Sequence, residues 1–423
     1  MRLRRKDRIP GFVILVVIST VLACTFSGVM IFGFALKGYA WIIQFVLAIV
    51  ILLRSPRRVS FPWYIWSPWV CLILIYIVFS PFENALQRTG LLLCPVIVGI
   101  VVSRYSIRET ELRVFGKLCD YMAVFLFVFV AFGSGVALTG ALPEVMGLSP
   151  QSMTCALLAT IFATRYVYGR RRALYYWIGL CLIPVIALTR TAIVATGITL
   201  PATFAPFKFP KRLIVFSIIG VLGIGLFYTE RFQHKMFYSG EGSLADVRYD
   251  NPNLYTTGRI YLWERMDWEI SEKPWFGHGA NAQEAFLAKI VGFQGQPHND
   301  WKRLLFDYGY LGTSIFLLCL VLQVLHAWQK ARKTPGELRI LFYAGASSFL
   351  PLVLFMFTDN IILYAPFFLN LQFTLLGLAY AGEKTLMRDL EMYYRTRFPA
   401  AQGLATRQNK TTNFGYNVSK DKH

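Results

Sequence analysis

The chain has 423 residues, of which 56% are hydrophobic and only 16% charged, with a mean hydropathy of +0.49. A soluble domain carries about 25% charged residues, so composition excludes an ordinary soluble enzyme and implies an all-α integral membrane protein. The net charge of +20 invites a nucleic-acid reading, but the placement of the charge along the chain argues against one.

Residues 1–10 form a basic N-terminus with Arg2, Arg4, Arg5, Lys6 and Arg8. The apolar run behind it resembles a signal peptide. It is too long, lacks a small-residue cleavage site and leads into further spans, so it reads as an uncleaved first helix. Apolar runs recur at 11–36, 39–53, 62–80, 88–103, 118–138, 151–168, 173–188, 191–207, 212–228, 304–328, 339–358 and 361–381. About 20 residues cross the hydrocarbon core. These runs therefore predict about 12 transmembrane helices, nine within 11–228 and three within 304–381. With the N-terminus inside, 31 of the 43 Lys and Arg but only 9 of the 23 carboxylates fall on the inner side. That bias follows the positive-inside rule, with a contribution from anionic membrane lipids, and leaves no role for nucleic acid. It places both termini in the cytoplasm of a bacterial inner membrane. Residues 382–423 make a cytoplasmic tail, polar from about 400 and expected to be disordered there.

The segment 229–303 is the one long polar interruption, and the same count puts it on the periplasmic side. Long loops that survive in compact proteins are disproportionately functional. This one holds His234, His278 and His298, three of the five histidines. Residues 229–255 read as irregular, with Gly240, Gly242 and Asn251-Pro252-Asn253 as turn signals. Ile260, Trp263, Met266 and Ile270 recur at helical spacing and predict an amphipathic helix over 259–272, ended by Pro274 and Gly277. Asn281 with Glu284 three residues on reads as a cap and predicts a second helix over 282–291. Helices this short need the bundle or the lipid headgroups to lie on. The seven cysteines all lie in or beside apolar runs and pack as small hydrophobes. Neither a disulfide framework, a metal site nor a cofactor is expected.

Topology gathers Glu83, Arg88, Arg190, Arg259, His298, Asp300 and Asp359 on the outer side. Arg190 is the sharpest of these: it sits in the turn Ala187-Leu188-Thr189-Arg190-Thr191-Ala192 between two apolar runs. A charge so near hydrocarbon tends to face a cavity or a partner, although a headgroup-seeking arginine is the plainer alternative. Arg259 opens the amphipathic helix, where a cation opposes the dipole, and an anion held there would repay that cost. His298 precedes a helix that Asn299 or Asp300 can cap, and an imidazole so placed suits a general base. His278, flanked by Gly277 and Gly279, reads as structural. Two arginines and a base at a membrane surface suit an anionic, lipid-anchored leaving group, because guanidinium forks bind phosphates well.

The runs Thr257-Gly258-Arg259-Ile260-Tyr261-Leu262-Trp263, Lys273-Pro274-Trp275-Phe276-Gly277-His278-Gly279, Pro297-His298-Asn299-Asp300-Trp301 and Asp307-Tyr308-Gly309-Tyr310-Leu311-Gly312 together resemble the O-antigen ligase/polymerase superfamily. The Leu188-Thr189-Arg190-Thr191 turn is similar to that family's upstream arginine motif. The resemblance implies a metal-independent, inverting glycosyl transfer at the periplasmic face from a glycan on undecaprenyl pyrophosphate. It implies His298 as the base on the acceptor hydroxyl and Arg190 and Arg259 as pyrophosphate ligands. Asn299, Asp300, Arg88 and Asp359 are supporting candidates. The Pro-His-Asn-Asp-Trp run and the short tail are similar to exopolysaccharide-type members. They lead to a polymerase of lipid-linked repeat units, with a chain-length regulator and a flippase as partners. The alternative is a ligase whose acceptor is lipid A–core. A transporter or flippase is the reading from a different class. It predicts polar residues at the bilayer midplane, whereas here the polar set gathers at one face.

Overall fold

A computed structural model describes residues 9–54, 57–138, 149–248, 250–256, 258–292 and 295–397. The basic N-terminal residues 1–8, Thr257 and the tail beyond 397 lie outside the described residues, as do the expectations that fall on them. The protein is an all-α membrane protein, and among the described residues its one sheet is a two-residue-per-strand hairpin.

The helices before the polar segment are α1 (Gly11–Thr25), α2 (Leu36–Arg54), α3 (Trp63–Phe79), α4 (Ala85–Ser103), α5 (Glu109–Leu138), α6 (Ser149–Val167), α7 (Arg172–Ile186), α8 (Arg190–Gly197) and α9 (Phe209–Phe227). The polar segment carries α10 (Glu230–Met236), a 3₁₀ turn at Leu244–Asp246, α11 (Arg259–Glu272) and α12 (Ala282–Val291). Then come α13 (Asp300–Lys333), α14 (Gly336–Ser347), α15 (Phe349–Thr358) and α16 (Leu369–Arg397). Among the described residues six stretches are long and apolar enough to cross a membrane: α2, α4, Glu109–Gly133 of α5, α9, α13 and the joined α14–α15. Helices α1, α3 and α7 are shorter and apolar. α16 packs along α4 at the centre, where a Cβ on Gly377 would stand 2.8 Å from the carbonyl oxygen of Gly99. Small residues let membrane helices approach this closely. α9 is the opposite case, with only Phe227 buried.

Several apolar runs are not the continuous helices that hydropathy predicts. The run 11–36 stops being helical at Thr25. A hairpin, Met30–Ile31 with Phe34–Ala35, follows, turned by Phe32 and Gly33 at φ 48 and 80. Two consecutive positive φ angles are what a tight hairpin turn requires. The run 191–207 is helical only to Gly197, the end of the eight-residue α8, before the backbone becomes irregular. Exposed carbonyls are costly in lipid, and the Arg212 guanidinium covers them. It donates to the oxygens of Pro201 at 3.1 Å, Thr203 at 2.8 Å, Ala205 at 2.9 Å and Phe207 at 3.0 Å. The run 361–381 is α-helical only from Leu369, after a 3₁₀ turn at Ala365–Phe367, and 339–358 divides at Ser348.

α13 is broken at Gly309, whose φ of 65 and ψ of −168 are open only to glycine. The break separates the amides of 310 and 311 from the carbonyls of 306 and 307, and the loop 274–279 fills the gap. The Tyr310 N–H donates to Pro274 O at 2.7 Å and Leu311 N–H to Trp275 O at 3.1 Å. In return, Phe306 O accepts from His278 N–H at 2.8 Å and Asp307 O from Gly279 N–H at 3.0 Å. All four orphaned backbone groups are thus satisfied. The backbones meet so closely that a Cβ on Gly277 would lie 2.6 Å from Gly309 N and 2.7 Å from Asp307 O. His278 locks the seam from the side, stacked on Phe306 at 4.5 Å with its Nε2 2.9 Å from Glu269 O, which fits its reading as structural. Gly277→Ala is expected to cost at least ~2 kcal/mol, because it adds a left-handed backbone penalty to a backbone clash. The check is the thermal midpoint of the purified protein, and an unchanged midpoint would contradict so tight a seam.

The two helices expected in the polar segment appear at 259–272 and 282–291. Met266 and Ile270 are buried against Leu287 and Phe306. The capping expected at Asn281 is different. Asn281 has φ 64, makes no side-chain cap bond, and donates from Nδ2 to Glu83 O at 2.8 Å. The α12 N-terminus is capped from a distance instead: Asp307 Oδ1 accepts from Gln283 N–H at 2.9 Å. Residues 229–255, expected to be irregular, contain α10 and a bridge between Phe237 and Leu254 over a small core of Phe227, Phe237 and Leu254.

Candidate active site

One end of the bundle carries an open cavity of ≈ 460 Å³. Its charged lining is Arg190, Lys235, Arg259 and Asp359, three cations against one carboxylate; Tyr255, Trp263 and Thr358 stand among them. The turn that presents Arg190 is strained: Leu188 has φ 48, a region that costs a bulky residue about 1–3 kcal/mol and is found where function requires it. Arg190 Nη1 reaches Met236 Sδ and Tyr255 O, both at 3.3 Å. Arg190 is thereby braced by the folded strap 230–256.

Arg259 is the first residue of α11, after Gly258 at φ 74. Its Nη1 donates to Thr358 O at 2.9 Å, while its Nε is buried without a hydrogen-bond partner. Burial lowers the guanidinium pKa and the Asp359 carboxylate opposes that shift. A partly desolvated cation gains more from a neighbouring anion than a solvated one does.

His298 adjoins this cavity through Asp359. It has a positive φ of 50, a second strained residue at the same face. Its Nδ1 lies 3.2 Å from Asn360 Nδ2 and 3.6 Å from Asp359 Oδ1. Pro297, just before it, accepts at 2.6 Å from Trp263 Nε1–H, so the α11 helix that presents Arg259 also positions the histidine. Asn299 caps α13, its Oδ1 accepting from Lys302 N–H at 3.0 Å. Asp300 is fully buried and its Oδ2 accepts from Ile362 N–H at 2.9 Å. It pins the turn 359–362 beneath the imidazole and does not line the cavity.

Arg88 is placed elsewhere. It forms a fork with Glu284, with bonds of 3.0 and 2.7 Å, and is not among the lining residues. Burial opposes ionisation of Glu284, but the Arg88 fork and charge outweigh it and hold the carboxyl below its usual range. The pair clamps α12 to α4. Glu83 contributes only a carbonyl, to Asn281. Sequence reading missed Lys235, Thr358 and Asn360. Lys235 lay in a stretch read as irregular, and its only signal is a basic residue that would end a short helix. No group of three or more His, Cys, Asp or Glu with metal-binding proximity exists among the described residues.

Residues 174–317 match the family model described as O-Antigen ligase (Wzy_C). Over that segment the chain is similar to the O-antigen ligase/polymerase superfamily. No curated protein matches the chain. The ligase/polymerase match contains Arg190, Lys235, Arg259 and His298, together with both sides of the Gly277–Gly309 seam. Asp359 and Asn360, which complete the face, lie beyond it. The match supports, at that coarse level, an enzyme of the glycosyl-transferring ligase/polymerase group.

Proposed function

We propose that the protein transfers a glycan from an undecaprenyl-pyrophosphate donor at the periplasmic face of the inner membrane, and that it polymerises repeat units of an exopolysaccharide or O-antigen. The observation that carries this reading is the cationic cavity beside His298 at one end of an apolar bundle. In this reading Arg190 and Arg259 hold the pyrophosphate, and the apolar helices accommodate the lipid. His298 takes the proton of the acceptor hydroxyl as that oxygen attacks the anomeric carbon from the face opposite the departing diphosphate, with inversion. A carboxylate 3.6 Å from Nδ1 favours a proton on that nitrogen, and Asn360 supports the same tautomer when its amide oxygen faces the ring. Nε2 is then left as the proton acceptor. The arginines supply the charge stabilisation that a divalent cation gives in other phosphate chemistry. The charge bias of the loops supports twelve crossings with both termini cytoplasmic; a flippase would deliver the donor and a chain-length regulator would set when growth stops.

A ligase using lipid A–core as acceptor is the second reading, favoured by the description of the matched family model. Purified full-length protein in vesicles, supplied with a lipid-linked repeat unit, is expected to make longer lipid-linked glycans, with or without EDTA. A sugar added to lipid A–core and no lipid-linked elongation would decide for the ligase. Abolition by EDTA would overturn the metal-independent mechanism.

A further inference from the structure

The cavity holds a cation that the two-arginine scheme leaves without a task. We propose that Lys235 is a third phosphate-binding cation, placed to meet the charge that the diphosphate gains as it departs. This rests on the reading of a diphosphate-linked donor given above.

Lys235 stands in the last turn of α10, whose backbone is well held. Gln233 donates from Nε2 to Phe227 O at 2.8 Å and accepts at Oε1 from Gly242 N–H at 2.8 Å. Phe237 is buried against Phe227 and Leu254. Tyr255 N–H donates to Met236 O and Tyr238 N–H to Asn253 O, each at 2.8 Å. The neighbour Met236 and the facing Tyr255 both brace Arg190. Lys235 and Arg190 are therefore held by the same strap in the lining of the cavity, which Asp359 shares and His298 adjoins.

Among the described residues no carboxylate lies within ion-pair distance of Lys235. Burial and the Arg190 charge both lower its pKa. Two adjoining cations without a carboxylate between them repel, and that repulsion turns to attraction when an anion enters. A lysine merely reaching for headgroups would not need a strap folded around its neighbour.

The reaction explains a third cation. The bond between the acceptor oxygen and the anomeric carbon forms, and the bond from that carbon to the phosphate oxygen breaks. The electron pair stays on the phosphate, and the acceptor proton goes to His298. The donor diphosphate is a diester; the departing one is a monoester carrying one more negative charge. A cation that binds the monoester more strongly than the diester stabilises the transition state more than the ground state.

The test uses the full-length protein in nanodiscs with farnesyl diphosphate as a mimic of the leaving group and farnesyl phosphate as the control. Lys235→Ala is expected to weaken farnesyl diphosphate by about tenfold, the worth of one charge-assisted contact, and farnesyl phosphate distinctly less. Lys235→Arg should restore binding. If Lys235→Ala binds the diphosphate like wild type while Arg190→Ala does not, Lys235 is a solvated lysine and this proposal falls, but the donor reading stands. If wild type itself ignores farnesyl diphosphate, both fall. If the Lys235→Ala defect is confined to discs containing phosphatidylglycerol, the lysine reads a lipid headgroup and the proposal is overturned.

Discussion

His298→Ala is expected to reduce product formation by about 10²- to 10⁴-fold, the range in which a positioned general base contributes, without loss of the folded protein. Among the described residues the imidazole meets its polar partners Asn360 and Asp359 at Nδ1, and its side chain is 36% exposed. His298 belongs to none of the buried apolar clusters. The backbone at φ 50 makes alanine an imperfect control, so His298→Asn belongs beside it: asparagine tolerates this region well and keeps a polar group, yet cannot act as a base near neutral pH. Both variants should show a thermal midpoint near wild type and almost no elongated glycan. Near-normal turnover by either one would remove His298 from the mechanism.

The second large effect is expected at the arginines. Arg190→Ala and Arg259→Ala should each lower donor consumption by about 10²- to 10³-fold, as loss of a preorganised charge donor at a developing anion does elsewhere. Lysine at either position should recover only part of this, since an ammonium keeps the charge but loses the planar fork. Arg259 is the more informative of the two. Its Nη1 is committed to Thr358 O while its Nε is buried and unpartnered, so donors at fixed positions are what lysine cannot reproduce. Normal donor turnover in all four variants would mean that the cavity does not bind the diphosphate.

The parts of this architecture that follow from local pattern were legible in the sequence. The inward face of α11 is a simple 3.6-residue recurrence ending in Met266 and Ile270, and Asn299 caps the helix that follows it. What escaped depends on partners far along the chain. Asn281 resembles a cap, but the α12 N-terminus is satisfied by Asp307 across the Gly309 break, and Glu284, which should have completed the box, is held by Arg88. Hydropathy marked 191–207 as a span because it measures composition; it is blind to Arg212, which satisfies the carbonyls that let this stretch leave the helix. Among the candidate residues, the histidine and two arginines stand out by residue type, and Arg190 and Arg259 line the cavity. Lys235 does not stand out in the sequence, since its position depends on a strap whose fold rests on the non-local bridge from Phe237 to Leu254.

The face that holds these groups is stitched from segments far apart in the chain. The hydroxyls of Thr191 and Thr358 meet across 167 residues, and Arg259 reaches Thr358 O across 99. During synthesis the Arg190 turn, the strap and α11 all emerge before the stretch that carries Thr358, Asp359 and Asn360. Until that last stretch is inserted, His298 has neither its carboxylate nor its amide neighbour, and Arg259 lacks its carbonyl anchor. A partly inserted chain thus carries the cations of the cavity without the stretch that completes the face.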